Sequence, residues 1–156
     1  MAPRLDINGI GRTFGSRVAV DDVSLTVAPG QVTCLLGPSG CGKSITLRII
    51  AGVERQDSGT IHVDGELVCD TVFSLPPERR AVGLMFQDFA LFPHLSVAAN
   101  IAYGLKGSGK DARVAELLDR VGLKGYDKAM PHELSGGEQQ RVALARAIAP
   151  RPKVMP

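Results

Sequence analysis

The chain has 156 residues, 44% of them hydrophobic, with a formal net charge of +2. This length and hydrophobic share suit one domain with a real core and exclude a disordered chain. The small charge argues against nucleic acid or an anionic membrane as a partner. An odd, sparse set of cysteines, Cys34, Cys41 and Cys69, suits a reducing compartment rather than a disulfide scaffold. No run of eighteen apolar residues is present, so nothing is expected to span a bilayer as a helix. The opening residues have no apolar stretch of the kind a signal peptide needs.

In chain order, residues 4–10 alternate apolar and polar side chains and predict a half-buried strand. Gly11 to Arg17 reads as a polar turn carrying Phe14. Val23–Val27 alternates cleanly and predicts a second strand. Ala28-Pro29-Gly30 punctuates the chain. Val32–Leu36 is a short apolar run rich in β-formers, which predicts a buried strand. The stretch that follows, Gly37-Pro38-Ser39-Gly40-Cys41-Gly42-Lys43-Ser44, fits G-x-x-x-x-G-K-[ST], the phosphate-binding P-loop. A helix is expected from Lys43 to Ala51, apolar nearly all round and therefore buried, with Gly52 as its stop.

The chemistry of this motif follows from its residue types. Glycines let backbone N–H groups surround an anion and allow a positive φ where the loop needs one. The helix N-terminus adds the positive end of its dipole. Lys43 would reach the β- and γ-phosphates, and Ser44 would hold Mg²⁺. Cys41, at a variable position of the loop, is read as a small filler.

Asp64-Gly65 between Thr60–Val63 and Glu66–Val68 predicts a hairpin. Residues 76–80 read as a loop. Ala81–Phe86 predicts another buried strand, which would deliver Gln87 at its carboxyl end, where ligands bind in open α/β sheets. Beyond Pro93 the pattern turns helical. Helices are expected over Val97–Leu105, over Asp111–Gly122 on the spacing of Val114, Leu117, Leu118 and Val121, and from about Gly136 to Ala149. Leu134-Ser135-Gly136-Gly137-Glu138 opens the last of these. Ser135 and Glu138 make a capping box. That does not account for two glycines in the first turn, each costing about 1 kcal/mol against alanine. Close approach of an anion to bare N–H groups would account for them.

With its P-loop at 37–44, a glutamine at 87, and Leu134–Glu138 in the place of an LSGGQ signature, the chain resembles the ATP-binding subunits of ABC transporters over essentially its whole length. One departure is Glu138, where the signature usually has Gln. The stretches 75–80, 92–94 and 100–105 look most like bacterial importers of ferric iron, polyamines and sulfate.

The resemblance implies an α/β fold. It would combine a P-loop NTPase core, an antiparallel β subdomain and an α-helical subdomain, with residues 1–88 in the core and about 94–150 in the helical part. It implies that ATP and Mg²⁺ are bound by Gly37, Pro38, Ser39, Gly40, Cys41, Gly42, Lys43, Ser44 and Thr46. Phe14 would stack on adenine, and Ser44 and Gln87 would meet Mg²⁺. Ser135, Gly136 and Gly137 would contact the γ-phosphate of ATP held by a second ATP-binding subunit in a head-to-tail dimer. The implied partners are transmembrane permease subunits, joined in part through Phe89–Leu95, and indirectly an extracytoplasmic solute-binding protein. The implied place is the cytoplasmic face of the cell membrane.

The family pattern continues beyond Pro152-Lys153-Val154 with a strand ending in a Walker B Asp and then the catalytic Glu, whereas this chain reads Met155-Pro156. A C-terminally truncated subunit is therefore expected. Part of its core sheet would be missing, Val32–Leu36 would lie at an exposed edge, and the chain would bind nucleotide without hydrolysing it. The alternative is a non-hydrolysing regulatory module that pairs with a complete ATPase.

Overall fold

The structure, a computed structural model, describes residues 2–156. The chain divides into two compact units, Met1–Leu84 with Pro156, and Met85–Met155.

The first unit is built on an antiparallel sheet. Strands β1 (Leu5–Phe14), β2 (Arg17–Val27), β3 (Ser58–Val63) and β4 (Glu66–Cys69) lie in the order β2-β1-β3-β4. Leu5 and Ile7, and Ile61 and Val63, turn into one buried face by the period of two, and a register shift between Ile7 and Ile10, with Gly9 at φ 60°, returns Ile10 to it. The β3–β4 turn places Asp64 at φ 51° and Gly65 at φ 80°. Two positive φ values in succession suit a two-residue hairpin, and Asp-Gly supplies them.

Helix α1 (Lys43–Ala51) begins at Gly42 and ends at Gly52, both left-handed. Its buried residues are Thr46, Ile49, Ile50 and Ala51. Ile45 and Leu47 are only half-buried, so the expected all-round burial is confined to one side and the last turn. The carboxyl end of α1 is closed by Arg80, which is 2% exposed. Its guanidinium donates to the carbonyls of Ile49, Ile50 and Leu75 and to Ser74 Oγ. A cation at a helix C-terminus is held by the dipole's negative end, which lets it stand buried without a carboxylate. A side chain on Gly52 would collide with this guanidinium.

Two expected strands are not formed. Residues 31–36 have no regular secondary structure, and Val32 and Leu36 are 88% and 90% exposed. Residues 81–86 hold a single bridge residue, Val82, and Gln87 therefore does not stand at a strand end. An apolar run becomes a strand only when a neighbour takes its N–H and C=O groups. Among the described residues the paired strands are the four antiparallel ones, and none of them pairs with either run.

The second unit packs α2 (Val97–Ala102), α3 (Lys110–Arg120) and α4 (Gly136–Ile148) around Ile101, Val114, Leu117, Leu123 and Val142. Helix α2 is shorter than expected. Arg113 from α3 donates to the carbonyls of Ile148 and Ala149 at the end of α4.

Candidate functional site

Residues 37–42 form a loop, exposed over 37–41, that enters α1 through Gly40 at φ 80° and the half-buried Gly42 at φ 93°. Gly42 is there for a second reason besides its φ. A Cβ at this position would collide with the Ala19 carbonyl of β2. Arg17, at the start of β2, reaches the Gly40 carbonyl at 3.5 Å. The β1–β2 hairpin thus supports the loop from outside.

Lys43 is folded back into the loop. Its Nζ donates to the carbonyls of Gly37 and Pro38, both at 2.7 Å, and lies 3.4 Å from Cys41 Sγ. Helix α1 opens with no side-chain cap and no acidic residue in its first turn. Its first N–H groups are left to an outside acceptor. The residues present fit a phosphate: a lysine at the mouth, an uncapped helix N-terminus, and a glycine turn with no negative charge. Ser44 is exposed and carries a hard oxygen suited to Mg²⁺. Thr46 is 4% exposed, and its Oγ1 donates to the Gly42 carbonyl at 2.9 Å. Its hydroxyl is committed to the turn that carries Gly42.

Phe14 closes β1 and is 42% exposed. The Arg12 guanidinium lies 4.5 Å from its ring centroid, a cation–π stack that leaves the ring at the surface. Arg12 is fixed in turn by Glu54 at 2.7 Å and Asp57 at 2.8 Å. Asp57 also accepts the Thr13 N–H. That backbone hydrogen bond, followed by the bond from Arg12, holds its carboxyl below the ordinary range.

Gln87, Ser135, Gly136 and Gly137 lie in the second unit and are exposed. Gln87 occupies a turn in which the Phe89 N–H donates to the Phe86 carbonyl at 3.0 Å. Helix α4 starts on a complete capping box. Ser135 Oγ accepts from the Glu138 N–H, and Glu138 Oε2 accepts from the Ser135 N–H at 2.8 Å. The Ser135 N–H is the largest cause that depresses the Glu138 carboxyl below its ordinary value. Gln139 donates to the carbonyls of Pro131 and Leu134 and holds the chain leading into the helix. A Cβ at Gly136 or Gly137 would meet no heavy atom within 4 Å.

A cavity of about 730 Å³ in the second unit lies against α2, α3 and the residues that follow α3, with Ala99, Ala102, Val114 and Leu118 among its walls. None of the predicted site residues lines it.

Three residues with structural leverage had no signal in the sequence: Arg80, Asn100 and Arg146. Each binds main-chain carbonyls of another segment, and no local spacing marks such a contact. Asn100, fully buried, donates to the carbonyls of Phe92, Leu95 and Ser96 and accepts the Phe92 N–H.

The chain belongs to the ABC transporter family, whose model matches residues 20–155. Among its curated relatives is the Fe(3+) ions import ATP-binding protein FbpC 2 of Pectobacterium atrosepticum, 48% identical over 154 residues, which are 97% of this chain and 44% of the relative. The spermidine/putrescine import ATP-binding protein PotA of Nitrosospira multiformis is 49% identical over 156 residues, 97% of this chain and 42% of the relative. The FbpC protein of Pseudomonas fluorescens is 49% identical over 154 residues, with 44% of its length covered. The chain thus spans less than half the length of these relatives. No helix among the described residues is long and apolar enough to cross a membrane.

Proposed function

We propose that residues 1–156 form the nucleotide-binding part of the ATP-binding subunit of an ABC importer. The stretch is read as part of one ATP-binding domain, with 1–88 in the core and about 94–150 in the helical subdomain. The observation that carries the reading is the glycine turn that delivers Lys43 to an uncapped helix N-terminus.

In this reading Lys43 leaves the Gly37 and Pro38 carbonyls and takes phosphate oxygens in their place. The N–H groups of the loop and first turn hold the β-phosphate region. Mg²⁺, when bound, draws charge from the phosphates, with Ser44 and Gln87 as its protein contacts. Phe14 offers its free face to adenine. Ser135 and the open N–H groups at Gly136 and Gly137 receive the γ-phosphate of ATP held by a second subunit. Phe89–Leu95 faces a permease subunit, and the assembly sits on the cytoplasmic side of the membrane and serves solute import. The import function of the relatives named above supports this direction of transport.

Within residues 1–156 no Asp-Glu pair occurs, and the reading gives these residues nucleotide binding rather than turnover. The regulatory alternative, pairing with a complete ATPase, rests on the same open glycines of α4. ATP-dependent co-purification with a full-length subunit, in place of self-association, would favour it.

The test is ATP binding by calorimetry. Lys43→Ala is expected to weaken ATP by roughly tenfold to a hundredfold, the cost of losing one charge-assisted contact to phosphate, with the melting temperature little changed. Equal affinity in the two proteins overturns the binding site. Sustained phosphate release by 1–156 that Lys43→Ala abolishes overturns the reading of binding without turnover.

A further inference from the structure

The turn that carries Gln87 is followed at once by two non-glycine residues in the left-handed region, Phe89 at φ 62° and Ala90 at φ 45°. An L-residue pays for a positive φ through its Cβ, and two in succession persist only when something else holds them. The holding group is on α4. Arg146 Nη1 donates to the Ala90 carbonyl at 2.7 Å and Nη2 to the Phe89 carbonyl at 2.9 Å. The planar fork thus takes both strained residues at once, which lysine's single ammonium cannot do with the same geometry. The guanidinium also lies 5.4 Å from the Phe92 ring centroid. Beyond the ring, Asn100 ties the main chain at Phe92, Leu95 and Ser96 to α2.

The contacts form one chain of connection. Helix α4 begins at Ser135 and the glycines read as the γ-phosphate contact, and carries Arg146 in its last turn. Arg146 holds Phe89 and Ala90. The Phe89 N–H closes the turn on Phe86 and so places Gln87 within it.

We propose that Arg146 is a positioning residue for Gln87, holding the Phe89–Ala90 pair left-handed so that the Gln87 turn and helix α4 move as one piece. The proposal rests on the reading of Gln87 as a Mg²⁺ contact, and the experiment separates the two.

ATP affinity is measured with Mg²⁺ and with EDTA for the unmodified chain, Gln87→Ala, Arg146→Ala, Arg146→Lys and the double variant Ala90→Gly/Arg146→Ala. Circular dichroism monitors folding, and amide exchange is followed at Phe89. In Arg146→Ala the Mg²⁺-dependent gain in affinity is expected to fall about fivefold or more, within the usual range of coupling between sites, toward its value in Gln87→Ala. The EDTA affinity should stay near that of the unmodified chain, and the Phe89 amide should exchange faster. Arg146→Lys, which keeps the charge and most of the stem, should lose nearly as much; it is the variant to read if Arg146→Ala does not fold. Glycine at position 90 adopts a positive φ without the Cβ cost, so the double variant should regain most of the gain. Loss of packing against Phe92 would not be repaired in that way.

An unchanged Mg²⁺ gain in Arg146→Ala and Arg146→Lys, with the gain lost in Gln87→Ala, overturns the role of Arg146 alone. Failure of Ala90→Gly to restore the gain overturns the strained-pair account. An unchanged gain in Gln87→Ala overturns the underlying reading of Gln87, and the proposal falls with it.

Discussion

Helices α1 and α4 both start beside glycine, and their first turns are built in opposite ways. Helix α1 leaves Gly42 left-handed, has no side-chain cap, no acid in its first turn and a lysine at its first position. Helix α4 leaves Ser135 in an extended conformation and satisfies its own N-terminus through Ser135 and Glu138. The glycines differ as well. Gly42 is forced by a positive φ and by the Ala19 carbonyl, whereas Gly136 and Gly137 are forced by nothing in their surroundings. The first arrangement, with no side-chain cap and a lysine beside it, suits the phosphate site proposed above. The second is a self-capped end with open space beside its glycines, and it is the one proposed above to meet ATP held by a second subunit. A negative carboxylate close by makes α4 the weaker anion site of the two on its own.

Substitution at the glycines should separate the two ends most sharply. Gly42→Ala is expected to destabilise the chain by about 3 kcal/mol or more, from the left-handed φ together with a clash against backbone. Urea unfolding measures it, and a change under about 1 kcal/mol would mean that the loop is not braced on β2. Ser135→Ala should cost about 1 kcal/mol, the usual value of an N-cap, with ATP binding by the same chain unchanged. Gly137→Ala should change stability in the other direction, raising it by up to about 1 kcal/mol because alanine is the better helix former. In the same variant, ATP-dependent association of two chains should weaken. If Gly137→Ala is both neutral for association and stabilising, the open glycines have no role in binding.

The smallest effect concerns pH. The folded state depresses the Glu138 carboxyl below its ordinary 4.5, chiefly through the Ser135 N–H. Its contribution is therefore complete above pH 4.5 and lost as the pH falls through the depressed value. The stability advantage of the unmodified chain over Glu138→Gln, read from melting temperature, should be flat at neutral pH and shrink in acid. An advantage that grows in acid would reverse the assigned sign. The first turn of α1 has no carboxylate and should show no matching titration.

The parts legible in the sequence were those in which a local rule acts alone. Gly42 and Gly52 bound α1 because only glycine enters or leaves a helix left-handed without cost. Asp64-Gly65 makes a hairpin turn because its backbone demand is local. Ser135 and Glu138 cap α4 across three residues. The readings of Val32–Leu36 and Ala81–Phe86 as strands failed for the converse reason. Apolar character signals a need for burial, while strand geometry comes from a partner elsewhere in space. Arg80, Asn100 and Arg146 were illegible because their partners are mostly main-chain groups, which every residue has.

The sequence by itself determined the glycine turn ahead of α1, both ends of α1 and the start of α4, the alternation in Val23–Val27 and the family to which the chain belongs. These depend on side-chain volume, φ preference and hydrogen bonds within a few residues. Only the tertiary structure decided that Ala19 braces Gly42, that Lys43 turns back on its loop, and that Arg146 holds Phe89 and Ala90. These contacts join residues from 5 to 57 positions apart, and chain folding brings their groups together without leaving a local pattern for their pairing.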